Sequence, residues 1–157
     1  EKIVVATTIL DEDDIIENYV KNMGIDVFRG NTNDVLDRYF ECAKKFSIDV
    51  IIRITADNPL IDPTIVDDMI KKFTTNSYDY LTNSYVRTFP YGTEVEIFSC
   101  KALEKAWKNA KKPSEREHVT PYFYNNPDQF KFFNVENSTD TSNFGWTIDR
   151  QNNLILV

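Results

Sequence analysis

Apolar positions recur along this chain in two alternating rhythms, short continuous runs and longer stretches at helical spacing. Residues 2–8 hold the run Ile3-Val4-Val5-Ala6, which predicts a strand buried on both faces. Asp11 then caps a predicted helix with acidic residues in its first turn. Ile15, Ile16, Tyr19, Val20 and Met23 form its inner stripe, and Gly24 stops it. Residues 25–28 make a short predicted strand. Asn31 to Asn33 offer N-caps to a second helix, with Val35, Leu36, Tyr39, Phe40 and Ala43 facing inward. Residues 49–55 predict a further strand centred on Val50-Ile51-Ile52.

Asp62-Pro63 is a clear helix start, followed by Ile65, Val66, Met69, Ile70 and Phe73 on one face. Residues 80–82 and 94–98 read as strands. Ser99 caps a helix that turns Leu103, Ala106, Trp107 and Ala110 inward, and Ser114-Glu115-Arg116-Glu117 reads as a capping box opening a shorter one. Residues 130–135 and 146–149 complete the predicted strands, and 151–157 read as the first turns of a last helix. Strands alternating with helices at this spacing predict an α/β sandwich with a mostly parallel sheet. No repeat, low-complexity segment or linker interrupts residues 1–157, which are expected to form a single domain.

Composition narrows the possibilities. The 157 residues are 41% apolar, enough for a core, and 13% aromatic, which excludes a disordered linker. A formal net charge of −7 and a pI near 4.7 argue against nucleic acid as a main partner, because phosphate backbones are bound by neutralising them. A single nucleotide held through a divalent cation is compatible with that charge. No apolar run is long enough to span a membrane, and no signal-peptide pattern opens the sequence. Cys42 and Cys100 lack companions at metal-ligand spacing. Cys42 falls on a predicted apolar helix face, so a buried thiol and a reducing, cytoplasmic setting are expected. None of the glycines Gly24, Gly30, Gly92 and Gly145 lies in a dinucleotide- or P-loop fingerprint.

In open α/β sheets ligands gather beyond the carboxyl ends of the strands. Two aspartates stand at such ends, Asp57 after the strand at 49–55 and Asp149 at the end of 146–149. Carboxylates from separate strands at one sheet edge suit a hard cation that also takes phosphate oxygens, although either Asp alone would also serve as an N-cap. The run Asp11-Glu12-Asp13-Asp14 with Asp57 has a superficial likeness to a phosphorylation receiver. The Lys-Pro pair that such a site needs falls instead at a helix end, Lys112-Pro113. Acidic residues favouring the helix macrodipole account for the run more simply. His118, the sole histidine, sits in a polar cluster, exposed or in contact with a substrate. Glu94 and Glu96 share one strand face, solvated or lining a polar pocket.

Taken in order, VVAT, RGNTNDVLDRY, RITADNPLID, FPYGTEVEIFSCKAL, EREHVTPYF and WTID resemble the CMP-sugar synthetases. These are the acylneuraminate and Kdo cytidylyltransferases together with the spore-coat polysaccharide biosynthesis protein F group, and the resemblance covers nearly the whole chain. It implies a GT-A-like three-layer α/β sandwich that joins CTP to a sugar, expected to be a sugar acid, with Mg²⁺ (or Mn²⁺) and release of pyrophosphate. By this resemblance Asp57 matches the metal aspartate of the family's G-D-x-P-L motif, and Asp149 the second, in V/I-D-T-P-E-D; both are implied catalytic residues. Thr7, Thr8, Arg29 and Gly30 match segments on the nucleotide side. Thr93, Glu94, Glu96, Arg116 and His118 match the sugar side, and Arg53 a contact to phosphate or carboxylate. Relatives are often homodimers.

Three departures qualify that expectation. The family's opening basic loop, R-x-x-S-x-R-L-P-G-K, has no counterpart, so the sequence is expected to be a piece of a synthetase with little turnover of its own. Ala56 replaces the usual Gly before Asp57, and Arg150-Gln151-Asn152-Asn153 replaces T-P-E-D. A non-catalytic nucleotide- or sugar-binding module is the main alternative. A GT-A glycosyltransferase, which would normally carry a D-x-D motif, is another.

Overall fold

Residues 2–148 are described in a computed structural model of the protein, and they fall into two units. The first comprises residues 2–49 and 103–125, the second residues 50–102 and 126–148.

In the first unit β1 (Val4–Thr8) pairs in parallel with β2 (Asp26–Gly30), register Val4 to Asp26 through Thr8 to Gly30. Helix α1 (Asp14–Asn22) connects them, and α2 (Val35–Lys45) follows β2. Both starts differ from the sequence expectation. Asp11–Asp13 form a 3₁₀ turn ahead of α1, and Asp11 makes no side-chain cap. For α2 the cap is Asp34, which accepts from Asp37 N at 2.9 Å, while Asn31 Oδ1 accepts from Asn33 N and Asp34 N and so turns the chain into it.

Burial in this unit departs further. β1 is half-buried and Ile3 is 71% exposed, because β2 is its one strand partner among the described residues. On α1 only Val20 is buried, and Ile15, Ile16, Tyr19 and Met23 face outward. A helical stripe establishes that a helix has an apolar face; it does not supply what covers it.

The second unit carries a four-stranded sheet in the order β3-β5-β4-β6, with β3 Val50–Arg53, β4 Tyr80–Thr82, β5 Glu96–Ser99 and β6 Phe132–Asn134. Strand β5 runs antiparallel to both neighbours, and β6 parallel to β4. Three of these four strands therefore share one direction, as the expected mostly parallel sheet requires, and β5 alone of the four runs against them. The chain reaches β5 from β4 through the 83–95 loop, without the helical crossover that a parallel neighbour requires. Helix α3 (Pro63–Asn76) starts as the sequence predicts, with Pro63 at its first position and Asp62 accepting from Thr64 N at 2.8 Å. Its Met69 and Phe73 pack with Leu81, Val95 and Ile97 into one apolar cluster.

Helix α4 (Cys100–Asn109) begins at the expected cap, Ser99 Oγ accepting from Ala102 N at 3.1 Å. Helix α5 (Pro113–His118) starts earlier than the expected Ser114 box. Pro113 takes the first position, and the Glu115 carboxylate reaches back to Lys112 N at 3.4 Å. Helix α6 (Pro121–Asn125) follows. The expected strand at 146–149 is an extended segment whose isolated bridge joins Gly145 to Tyr91; Asp149 and the expected helix at 151–157 lie outside the described residues. No described helix is long and apolar enough to cross a membrane.

Cys42 is buried as expected, and burial raises its thiol to about 11. Native protein at pH 8 should therefore leave Cys42 unmodified by iodoacetamide, with labelling appearing in urea. Rapid labelling of the native thiol would contradict this placement.

Candidate functional site

The loop after β3 carries the first of the two predicted aspartates. Asn58 N donates to Thr55 O at 3.2 Å, which closes a turn with Asp57 inside it. The Asp57 carbonyl accepts from Ile148 N at 2.9 Å. This bond ties the loop to the residue immediately before Asp149 in the sequence. The Asp57 Oδ1 atom is shielded from solvent and receives no hydrogen bond.

Segment 144–148 is tied at its other end to the turn at Tyr91. Tyr91 N donates to Phe144 O at 2.9 Å and Trp146 N to Tyr91 O at 2.7 Å. Gly92, at φ +94°, makes this approach possible. A Cβ there would stand 2.7 Å from the Trp146 carbonyl carbon and 2.8 Å from Thr147 N.

Glu94 stands between these segments. One carboxylate oxygen pairs with Arg87; the other accepts from Asn58 Nδ2 and from Gly92 N, each at 2.9 Å. Thr93 is buried, its hydroxyl donating to Pro90 O at 2.8 Å and its carbonyl accepting from Asn83 Nδ2 at 2.8 Å. Glu96, 6% exposed, pairs with Arg53 across the β3–β5 register and accepts from Tyr80 OH at 2.8 Å. Arg53, Thr93, Glu94 and Glu96 thus meet around the Asp57 loop and its sheet edge, and all four engage partners within the fold. Of the two alternatives for Glu94 and Glu96, a solvated face or a polar pocket lining, the solvated face is replaced by ion pairs.

In the first unit Thr7 and Thr8 stand at the carboxyl end of β1. Both hydroxyls donate to Asp13 Oδ2, at 2.6 and 2.5 Å, and Thr8 N donates to the same atom at 2.9 Å. Those hydrogen bonds, Thr7's first, lower the Asp13 carboxyl from 3.8 to about 2. Arg29 Nε donates to Thr8 O at 2.7 Å and Nη2 to Leu10 O at 2.6 Å, while Nη1 pairs with Glu17 and Asp14. Glu17 and then Asp14 hold the guanidinium further above its ordinary pKa. The space beside Gly30 is filled by Phe28 and Arg38, whose atoms would lie 2.7 and 2.9 Å from an added Cβ.

Arg116 grips Asp34, the α2 cap, through Nε at 2.8 Å and Nη2 at 2.5 Å, and donates from Nη1 to Trp107 O at 2.7 Å. His118 is exposed at the end of α5. The next residue, Val119, is buried at φ 72° and ψ −57°, and Thr120 N donates to His118 O at 2.8 Å. This is a strained γ-turn at a β-branched residue.

Sequence reasoning did not single out Asn58 or Asp13. The signals were present: Asn58 lies between Asp57 and Pro59, and Asp13 follows shortly after a Thr-Thr pair at the end of a predicted strand. Among the described residues no three His, Cys, Asp or Glu side chains gather as a metal cluster. The unpartnered Asp57 oxygen nonetheless suits one carboxylate donor to a hard cation, which takes its remaining positions from water and ligand oxygens.

Residues 1–153 match the family described as Cytidylyltransferase. MJ1063 of Methanocaldococcus jannaschii is 46% identical over 136 residues, 87% of this chain and 55% of that protein. The spore coat polysaccharide biosynthesis protein SpsF of Bacillus subtilis is 33% identical over 132 residues, 83% of this chain and 54% of that protein. The chain therefore spans about half the length of the curated relatives it matches. A solved cytidylyltransferase from Leptospira borgpetersenii superposes with a TM-score of 0.92 at 42% identity, over 96% of this chain and 64% of the other. CMP:2-keto-3-deoxy-manno-octonic acid synthetase complexed with CTP shares the fold, with a TM-score of 0.59 at 14% identity over 87% of this chain and 73% of that one.

The Asp13 network gives a pH signature. Its folded-state pKa lies below the unfolded value, so its stabilising contribution is full above the ordinary carboxylate range and is lost as pH falls through about 2. The carboxyl ¹³C shift of Asp13 should titrate near 2, and Thr7→Val with Thr8→Val should return it most of the way to 3.8. A midpoint at the ordinary value in the unmodified protein would contradict the network.

Proposed function

The chain belongs to the cytidylyltransferase family, and from that premise we propose that the protein joins CTP to a sugar, expected to be a sugar acid, for surface or spore-coat polysaccharide synthesis. A sugar hydroxyl oxygen bonds to the α-phosphorus of CTP as the bond from that phosphorus to the bridging oxygen breaks. Pyrophosphate leaves, and the hydroxyl proton passes to solvent. The reaction is assigned to the cytoplasm. The names of two similar proteins support the reading, one a spore coat polysaccharide biosynthesis protein and the other a CMP-sugar synthetase complexed with CTP.

The observation that carries the proposal is the hydrogen bond from Ile148 N to Asp57 O. It joins the loop of one predicted metal aspartate to the chain neighbour of the other, 91 residues on. Asp57 and Asp149 would hold Mg²⁺ (or Mn²⁺), which when bound offsets negative charge developing on the phosphates. The Asp57 backbone is fixed through Thr55 and Ile148, so its carboxylate needs little reorganisation to meet an ion.

The remaining predicted site residues act in this proposal mainly by shaping. Thr7, Thr8 and Arg29 fix the carboxyl end of β1 through Asp13 and the main chain, presenting backbone to the nucleotide. Gly30 admits the Phe28 and Arg38 side chains there. Glu94 holds the loop of Asp57 through Asn58, Thr93 fixes the adjoining turn through Pro90 and Asn83, and Glu96 with Arg53 fixes the strand ends beside it. His118, the exposed member of the sugar-side set, is left to touch the sugar, with Arg116 holding its helix.

Thermal unfolding with Mg²⁺ and CTP, UTP or GTP, with and without EDTA, tests the proposal. CTP with Mg²⁺ should stabilise the protein by about 2.7 kcal/mol at a hundred times its Kd, and Asp57→Asn should abolish the metal-dependent part without unfolding the chain. Cation-dependent CTP binding that survives Asp57→Asn would overturn the assignment.

A further inference from the structure

Asn58 is 4% exposed, and its amide divides its work between two sides. Nδ2 donates to Glu94 Oε2 at 2.9 Å. Oδ1 is fully shielded and has no donor facing it. The orientation of this amide is chemically determined. Glu94 can only accept, so turning the amide over would set oxygen against oxygen. Glu94 is itself held by Arg87 and by Gly92 N, and cannot turn to accommodate the reverse arrangement.

The preceding residue has the same feature. Asp57 Oδ1 is also shielded and without a donor. Consecutive residues of one turn therefore bury two acceptor oxygens, neither of which receives a hydrogen bond. Buried acceptors without donors are costly and uncommon in native proteins, and two on adjacent residues form a site short of positive charge. A cation bound at this turn would supply the missing positive partner, and neutral amide oxygens join carboxylates readily around hard divalent ions.

We propose that Asn58 Oδ1 is a second oxygen donor to the divalent cation held by Asp57, with Glu94 as the positioning residue that keeps the amide oxygen turned toward it. The inference rests on the metal assignment made above and adds two residues to it. Glu94, matched by resemblance to the sugar side, then acts through Asn58 on the ion.

Manganese uptake, read as loss of the free Mn²⁺ electron-paramagnetic-resonance signal with and without CTP, provides the test. Wild-type protein should bind Mn²⁺ and Asp57→Asn should not. Asn58→Leu should weaken binding about tenfold. Asn58→Asp should restore it, because a carboxylate keeps the oxygen, while lowering the melting temperature of the metal-free protein by placing a second carboxylate against Glu94. Glu94→Gln should weaken binding severalfold with both oxygen donors still in place.

Should Asn58→Leu fail to fold, Asn58→Asp and Glu94→Gln decide the matter. A Glu94→Gln protein with wild-type Mn²⁺ affinity, or an Asn58→Asp protein that folds and binds none, overturns the inference. An Asn58→Leu protein with wild-type affinity alongside a non-binding Asp57→Asn protein overturns it too, and leaves the functional reading intact. Wild-type protein that takes up no Mn²⁺, with or without CTP, contradicts the metal assignment itself and this inference with it.

Discussion

The second unit is organised by a carboxylate that accepts from three directions. Glu94 receives the Asn58 amide, the Gly92 main chain and the Arg87 guanidinium, and so fastens the Asp57 loop to the turn at 90–92. That turn in turn holds segment 144–148 by backbone hydrogen bonds, with Gly92 allowing an approach that any side chain would block. Segment 144–148 returns to the loop through Ile148 and the Asp57 carbonyl. The circuit is closed: loop, turn, extended segment, loop. Hydrogen bonds to a charged acceptor are individually stronger than neutral ones, so one ionised group can fix three irregular segments that no sheet ladder reaches.

The same device recurs in the first unit. Asp13 gathers both hydroxyls of the Thr7-Thr8 pair and one main-chain amide, and Arg29 binds the neighbouring carbonyls. Glu96 repeats it within the sheet, where Arg53 and Tyr80 satisfy a carboxylate that burial would otherwise penalise. In a chain of net charge −7 the acidic residues are thus more than a solvated surface. Several are acceptor hubs at strand ends, turned toward hydrogen-bond donors of the fold. Asp57 differs from these hubs in having a buried oxygen left over.

Where information in the sequence was local, the fold was legible. The Asp62-Pro63 start, the Ser99 cap, the buried Cys42 and the strands at β1, β3 and β4 follow from neighbouring residues and periodicity. The misplacements also have physical causes. The α2 cap moved to Asp34 because Asn31 was occupied in turning the chain, and β5 reversed because a loop rather than a helix leads to it. The α1 stripe stayed exposed because spacing cannot say what lies opposite. At the site, the residue types gathered around the Asp57 loop were legible and their partnerships were not. The Glu94 and Asn58 pair is separated by 36 positions, Arg53 and Glu96 by 43, and Arg116 and Asp34 by 82, distances over which a single sequence carries no pairing signal. Most residues read as ligand contacts proved to be engaged within the fold, while Asp57 and its neighbour Asn58, the latter read only as part of a motif, each keep a buried oxygen that receives no hydrogen bond.

The central claim is that the Asp57 turn binds a divalent cation in company with a cytidine nucleotide. Paramagnetic broadening of backbone amide resonances by substoichiometric Mn²⁺ in the presence of CTP tests it most directly. The account predicts that the amides of Ala56, Asp57, Asn58 and Ile148 broaden first, and that EDTA restores them. Broadening that begins at other acidic positions, such as Asp67 and Asp68 on α3, while the Asp57 turn stays sharp, would contradict it.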